Sequence, residues 1–264
     1  MGSRPGVKSY RVSFDFYITP GVKLLLLANF GVFLFEVLLY SFGGRAAYAV
    51  MLRWFGLMPA GVIPLFRVWQ PFTYLFLHDV NSIWHILMNM FTLWMFGKEL
   101  ELVWGKNRFL RYYFLTGVGA GLINVVVKTV PALFTQRLPD TAYVSTIGAS
   151  GAIFGILIAC AILFPDRRVY LIPFPVAISM RTVVILMAAL TFLGTFGLGD
   201  DSVSHICHLG GMLVGYLYLR RGSFLYSFRN SVSDWQYKRN RRRFQVYMDK
   251  HRKEPPSRPD SWVN

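Results

Sequence analysis

Ser150, His208, His205, His85 and Asn89 are reactive or strongly polar side chains set in apolar stretches of the chain. Gly148-Ala149-Ser150-Gly151 opens one such stretch. His85 and Asn89 lie four residues apart in an earlier one, so they share a helix face, one turn above the other. His205 and His208 lie in the last, with Gly211 and Gly215 at i+3 and i+7 from His208. A hydroxyl beside an imidazole is the pairing of a nucleophile and its general base. A further imidazole and a carboxamide at the same level are suitable oxyanion donors. A serine in a first helical turn has backbone N–H groups beside it with no intrahelical partner. The flanking glycines let the backbone turn tightly. The small-residue ridge after His208 permits close helix packing, which would bring that histidine to Ser150. His205 lies on nearly the same face, and these residues alone do not choose between the two histidines.

The elements that must position these groups read as membrane spans. Of 264 residues, 54% are hydrophobic, 17% aromatic and only 16% charged, which excludes a disordered chain. A span needs about 20 mostly apolar residues. Six stretches qualify, near 21–42, 83–103, 109–127, 144–164, 182–199 and 203–219. The formal net charge of +15 would suggest nucleic acid in a soluble protein. With six spans it reads as topology instead. With the N-terminus inside, 23 of the 28 Lys and Arg residues fall on the inner side, and the opposite orientation reverses that ratio. The fold class is therefore an all-α polytopic membrane protein with six transmembrane helices, N-in and C-in. A cytoplasmic segment at 1–20 precedes the membrane domain at 21–220, and a basic cytoplasmic tail follows at 221–264. Even-numbered spans then all start on the outer side, which places Ser150, His85 and His208 at one depth. For Ser150 that depth is roughly 9 Å below the outer edge, at 1.5 Å per residue. Cys160 and Cys207 sit in apolar runs and form no disulfide framework.

Over about residues 20–220 the chain resembles the rhomboid intramembrane serine proteases. Gly148-Ala149-Ser150-Gly151 is similar to the family's GxSG motif, which implies that Ser150 is the nucleophile. His208-Leu209-Gly210-Gly211 with Gly215 resembles the motif of the last helix, which makes His208 the base. His85-Ile86-Leu87-Met88-Asn89 resembles the HxxxN motif, whose members help bind the oxyanion. His78 matches a histidine just before that helix, and Glu101 to Gly105 followed by Phe109-Leu110 matches the turn into the third helix. Two positions depart from the pattern. Trp69-Gln70 stands where Trp-Arg is frequent, and Phe154 stands where some members stack a tyrosine on the histidine.

The resemblance implies a Ser–His dyad, since no carboxylate lies within a turn of His208. It implies transmembrane protein substrates, cleaved near the outer face, and contact with membrane lipids. No cofactor, metal or nucleic-acid partner is implied, and no oligomeric state. The location it suggests is a bacterial inner membrane. The alternative reading is a catalytically inactive relative that binds transmembrane clients. A transporter would want charges lining a path, and Glu36 is the one candidate in a span. No HExxH zinc signature occurs. Gly197-Leu198-Gly199-Asp200 spells the GxGD of aspartyl intramembrane proteases, but no second intramembrane aspartate pairs with it. Arg239-Asn240-Arg241-Arg242-Arg243 reads as a positive-inside anchor, with anionic lipid headgroups as an alternative ligand.

Overall fold

The computed structural model describes residues 17–63, 65–171, 176–195 and 204–220. The GxGD match and the basic tail therefore lie outside the described residues. The chain divides into two units, Met1–Gly215 and Tyr216–Asn264. The first holds the site, and of the second only residues 216–220, the end of the last helix, are described.

The described chain is mostly helical. Helix α1 runs Pro20–Phe55 and starts on a proline, whose missing N–H costs nothing in a first turn. Its N-terminus is held by Glu101, whose carboxylate accepts from the Gly21 and Val22 amides at 2.7 and 2.8 Å and from the Thr19 hydroxyl at 2.5 Å. Gly44 breaks the rod with left-handed φ 72°. Glycine has no Cβ to oppose that conformation. Helix α2 (Ile83–Thr92) continues through a π-helical turn, Leu93–Gly97, into α3 (Lys98–Trp104). Gly105, at φ 77°, then starts α4 (Lys106–Thr129).

Helix α5 (Ser150–Leu163) is apolar on every side, and nine of its 14 residues are buried. A helix apolar all round belongs inside. It packs on α4, where a Cβ at Gly155 would meet Thr116 and one at Gly117 would meet Leu75 and Ala152. Helices α6 (Met180–Gly194) and α7 (His205–Arg220) follow, and short helices at Pro59–Val62, Gln70–Thr73 and Ala132–Thr135 lie in the connections.

Helices α1 and α4 correspond to apolar segments long enough to cross a bilayer, Pro20–Phe55 and Lys106–Thr135. Leu27, Phe30, Leu34 and Phe35 of α1 are exposed, as suits a lipid-facing surface. The stretches near 144–164 and 182–199 form helices of 14 and 15 residues. One expectation needs correcting. The fold is not wholly helical, because β1 (Arg168–Leu171) and β2 (Val176–Ser179) form an antiparallel hairpin pairing Arg168 with Ser179 and Leu171 with Val176. Ser150 opens its helix in the first turn, as its place between glycines suggests, although the apolar stretch starts near 144. The reason is Gly148, at φ 115°, which ends the extended segment before the helix. That segment is not left unpaired. Thr146 exchanges backbone hydrogen bonds of 2.9 Å with Leu57, and the Gly148 amide donates to the Tyr74 carbonyl at 2.9 Å. Irregular backbone at membrane depth is tolerated where protein supplies such partners.

Candidate active site

The nucleophile candidate sits at the first position of α5, where the Gly148 turn places it. His208 lies on the first turn of α7, its amide donating to the Ser204 carbonyl at 3.2 Å. His208 Nε2 and Ser150 Oγ are 2.7 Å apart, a full hydrogen bond. Glycines set that distance. A Cβ on Gly211 would collide with the Gly151 carbonyl oxygen, so α5 and α7 touch backbone to backbone there. One turn on, a Cβ at Gly215 would lie 2.5 Å from the Tyr112 hydroxyl and 3.3 Å from Gly155 Cα. Phe154 stacks on the His208 ring with centroids 4.2 Å apart and planes 10° off parallel. An apolar ring therefore holds the imidazole plane, without a hydroxyl. His205 does not meet Ser150. It packs against Gly194 of α6, where no side chain would fit, with its ring edge-on to His208 at 6.3 Å.

The second imidazole faces the same space from the opposite wall. A Cβ on Gly148 would sit 2.7 Å from His85 Nε2 and 3.8 Å from Ser150 Oγ. Glycine leaves a small gap there, between a ring nitrogen and the serine oxygen. The Asp79 amide donates to His85 Nδ1 at 3.3 Å. With Nδ1 accepting, the proton of a neutral ring resides on Nε2, the nitrogen that faces the gap. Asn89 donates one amide hydrogen to the His85 carbonyl at 2.8 Å, which leaves its second N–H to give. The first-turn amides of α5, Ser150's included, have no partner inside the helix. Together these donors can stabilise negative charge growing on a carbonyl oxygen held beside Ser150 Oγ. Among the described residues no group of three metal-ligating side chains occurs.

His78 lies in the loop before α2, fully buried, with its ring 5.1 Å from that of His85. Its Nδ1 bonds the Phe76 carbonyl at 3.2 Å. Burial first, and the His85 ring second, push the His78 imidazole down to about 3. A histidine depressed in the folded state opposes folding as pH falls below its ordinary value near 6.5, and the loss grows until the folded-state value is reached. His78 is therefore expected to remove about 2 kcal/mol of stability between pH 6.5 and pH 5, at about 1.36 kcal/mol per unit. Unfolding midpoints in detergent at pH 7 and pH 5 check this. His78→Gln should flatten the dependence, and an equal slope in wild type and variant refutes it.

Gln70 explains how the loop does without the frequent arginine. It is fully buried, donates to the Arg53 and Trp54 carbonyls at 3.0 and 3.2 Å, and accepts from the Met58 amide at 3.1 Å. Trp69 stacks on Trp54 and donates to the Trp54 carbonyl at 2.9 Å. Gln70→Ala leaves the Met58 amide without its partner, while Arg67 and Trp69 still serve the Arg53 and Trp54 carbonyls, and should cost about 1–3 kcal/mol, the usual penalty of one unmet buried group. A thermal midpoint unchanged in that variant would show that water replaces the bonds.

Sequence reasoning gave no role to Glu36 or Tyr48, although both bond residue 78. The His78 amide donates to Glu36 Oε2 at 2.9 Å, and the Tyr48 hydroxyl donates to the His78 carbonyl at 3.2 Å. The signal available was a lone carboxylate in an apolar span. Nothing in the spacing tied it to His78, 42 residues away.

The fold and site define a helical membrane protein with a serine–histidine pair at the head of a central helix. The Rhomboid domain matches residues 65–223, and the chain belongs to the rhomboid family. It is 32% identical over 139 residues to the mitochondrial Rhomboid protein 1 of Saccharomyces cerevisiae, covering 52% of this chain and 38% of that protein. Over 143 residues it is 32% identical to the mitochondrial Presenilin-associated rhomboid-like protein of Bos taurus, covering 53% and 35%. RHOMBOID-like protein 1 of Arabidopsis thaliana is 29% identical over 170 residues, covering 62% and 38%. The chain thus spans little more than a third of the length of these curated relatives. The mitochondrial names overturn the bacterial inner membrane expected from the resemblance. The resemblance alone suggested that location, and nothing in the charge asymmetry singles out one membrane, since a positive-inside bias is common to more than one.

Proposed function

We propose that this chain is an intramembrane serine endopeptidase acting on single-span membrane proteins, with Ser150 as nucleophile and His208 as general base. The observation that carries the reading is the 2.7 Å contact of His208 Nε2 with Ser150 Oγ inside a rhomboid domain. His208 takes the hydroxyl proton as Oγ adds to the scissile carbonyl. The charge on the carbonyl oxygen is met by His85 Nε2–H, the free N–H of Asn89 and the Ser150 amide. Collapse breaks the C–N bond, and His208 gives its proton to the leaving amine. Water, activated by the same imidazole, then hydrolyses the acyl-enzyme and frees Ser150. Phe154 keeps the imidazole plane in place through both steps.

In this reading the chain crosses the membrane six times with both termini on the side of the basic loops. The site opens to the other face, so water reaches it and the substrate helix is cut near that end. The names of the yeast and cattle relatives support a mitochondrial membrane. Purified wild type in liposomes should cleave single-span reporters and take a fluorophosphonate probe at Ser150. A wild-type protein that binds such reporters without cleavage or labelling is a client-binding relative, and the protease reading then fails.

A further inference from the structure

We propose that Glu36 and Tyr48 of α1 are positioning residues for the oxyanion site, acting through the backbone of His78 to set the tautomer and aim of His85. This rests on the protease reading above, which gives His85 its role, and no part of that reading involves α1.

Three hydrogen bonds form a connected path. Glu36 is fully buried, and its Oε2 accepts the His78 amide proton at 2.9 Å. Tyr48, buried on the far side of the Gly44 bend, donates to the His78 carbonyl at 3.2 Å. That carbonyl and the Asp79 N–H belong to one peptide plane. The Asp79 N–H is the donor to His85 Nδ1, at 3.3 Å. Side chains from two parts of α1 thus hold residue 78 at both its N–H and its C=O. The held peptide then presents one amide proton to one nitrogen of His85.

The consequence is chemical. A neutral imidazole has two tautomers, and only one places a proton on the nitrogen facing the gap beside Ser150. A backbone N–H at Nδ1 forbids the other tautomer, because two donors cannot share that bond. The partner of a ring nitrogen's neighbour decides which nitrogen donates. The loop carries a further brace, since Asp79 Oδ1 accepts from both the amide and the side chain of Asn81. The Tyr48 ring packs with Met51 and Leu77 beneath that loop, which explains why α1 continues past the bend. A buried carboxylate is costly in a membrane span and calls for a role. Glu36 has its amide contact, while its Oε1 has no hydrogen-bond partner among the described residues. Its place beneath the oxyanion loop assigns that role.

The test uses the full chain in detergent micelles, with kinetics on a single-span reporter and 15N spectra of the histidine rings. Glu36→Ala and Tyr48→Phe should each lower kcat, the former by about tenfold or more, with KM within about twofold. Loss of a complete donor costs about 10²–10³, and misorientation a part of that. Glu36→Gln keeps a carbonyl acceptor and should restore kcat to within about twofold of wild type. In a His85→Ala background Glu36→Ala should add no further loss. His85 should show a single Nε2–H tautomer in wild type and a mixture in Glu36→Ala. An unchanged His85 spectrum in both Glu36→Ala and Tyr48→Phe overturns the proposal. So does a Glu36→Ala penalty that persists in full without His85. If Glu36→Ala does not fold, Tyr48→Phe, which removes one oxygen, decides by the same readings. A wild type that neither cleaves nor labels defeats the protease reading alone, since the ring spectra still report on Glu36.

Discussion

Ser150→Ala is expected to lower cleavage by about 10⁴-fold or more, equivalent to about 5 kcal/mol of transition-state stabilisation at 1.36 kcal/mol per decade. The variant removes the oxygen that His208 Nε2 bonds at 2.7 Å, and with it the acyl-enzyme route. Packing should survive, because Gly151 and Ala152, not the serine hydroxyl, carry the contacts of this turn with α4 and α7. His208→Ala should cost a similar factor, and the double variant no more than either single, since nucleophile and base act as one unit. His205→Ala supplies the contrast. Its ring faces Gly194 and makes no bond to the serine, so the dyad should keep working. A His205→Ala protein as dead as Ser150→Ala, with His208→Ala still active, would reverse the choice of base. Fluorophosphonate labelling read beside kcat separates loss of the nucleophile from loss of the fold.

Gly211→Ala should be nearly as damaging, through packing and not chemistry. Its Cβ would fall on the Gly151 carbonyl oxygen, a backbone atom in the turn that carries Ser150. Neither partner is a flexible side chain that can swing away, so α7 must move. Overpacking typically costs 1–3 kcal/mol, and a shift of about 1 Å in a reacting group can cost about 10²-fold in rate. The expected result is a lowered unfolding midpoint together with a loss of about 100-fold or more in kcat. Gly31→Ala is the control. Nothing lies within 4 Å of its Cβ position on α1, so midpoint and rate should hold. A Gly211→Ala protein with wild-type kcat would mean that the helices separate without moving His208.

Much of the site was readable because its parts lie close together in sequence. Ser150 sits between glycines that have specific backbone tasks, and His208 precedes a ridge of glycines at helical spacing. His85 and Asn89 are one turn apart, so their shared face follows from helix geometry. Other parts were not readable. The choice of His208 over His205 depends on rotation about α7, which three residues of spacing barely resolve. The family resemblance favoured His208, and the ring positions give the physical cause in Gly194 and Phe154. The hairpin at 168–179 was missed because it is short and its apolar run from Val169 to Ile178, with two prolines, carries no hairpin dipeptide signal. Gln70 looked like a lost contact, and became an anchor only when the Arg53, Trp54 and Met58 backbone groups surrounded it.

The amino-acid sequence by itself determined the apolar segments, the charge asymmetry between their connections, and the candidates for the reacting groups. Local periodicity and composition are enough for each of these. Tertiary structure decided what touches what: the backbone contact at Gly211, the stacking of Phe154 and the support of His78 from α1. Those contacts join residues tens of positions apart. They depend on helix rotation and on a bend at one left-handed glycine, neither of which leaves a periodic trace in the chain.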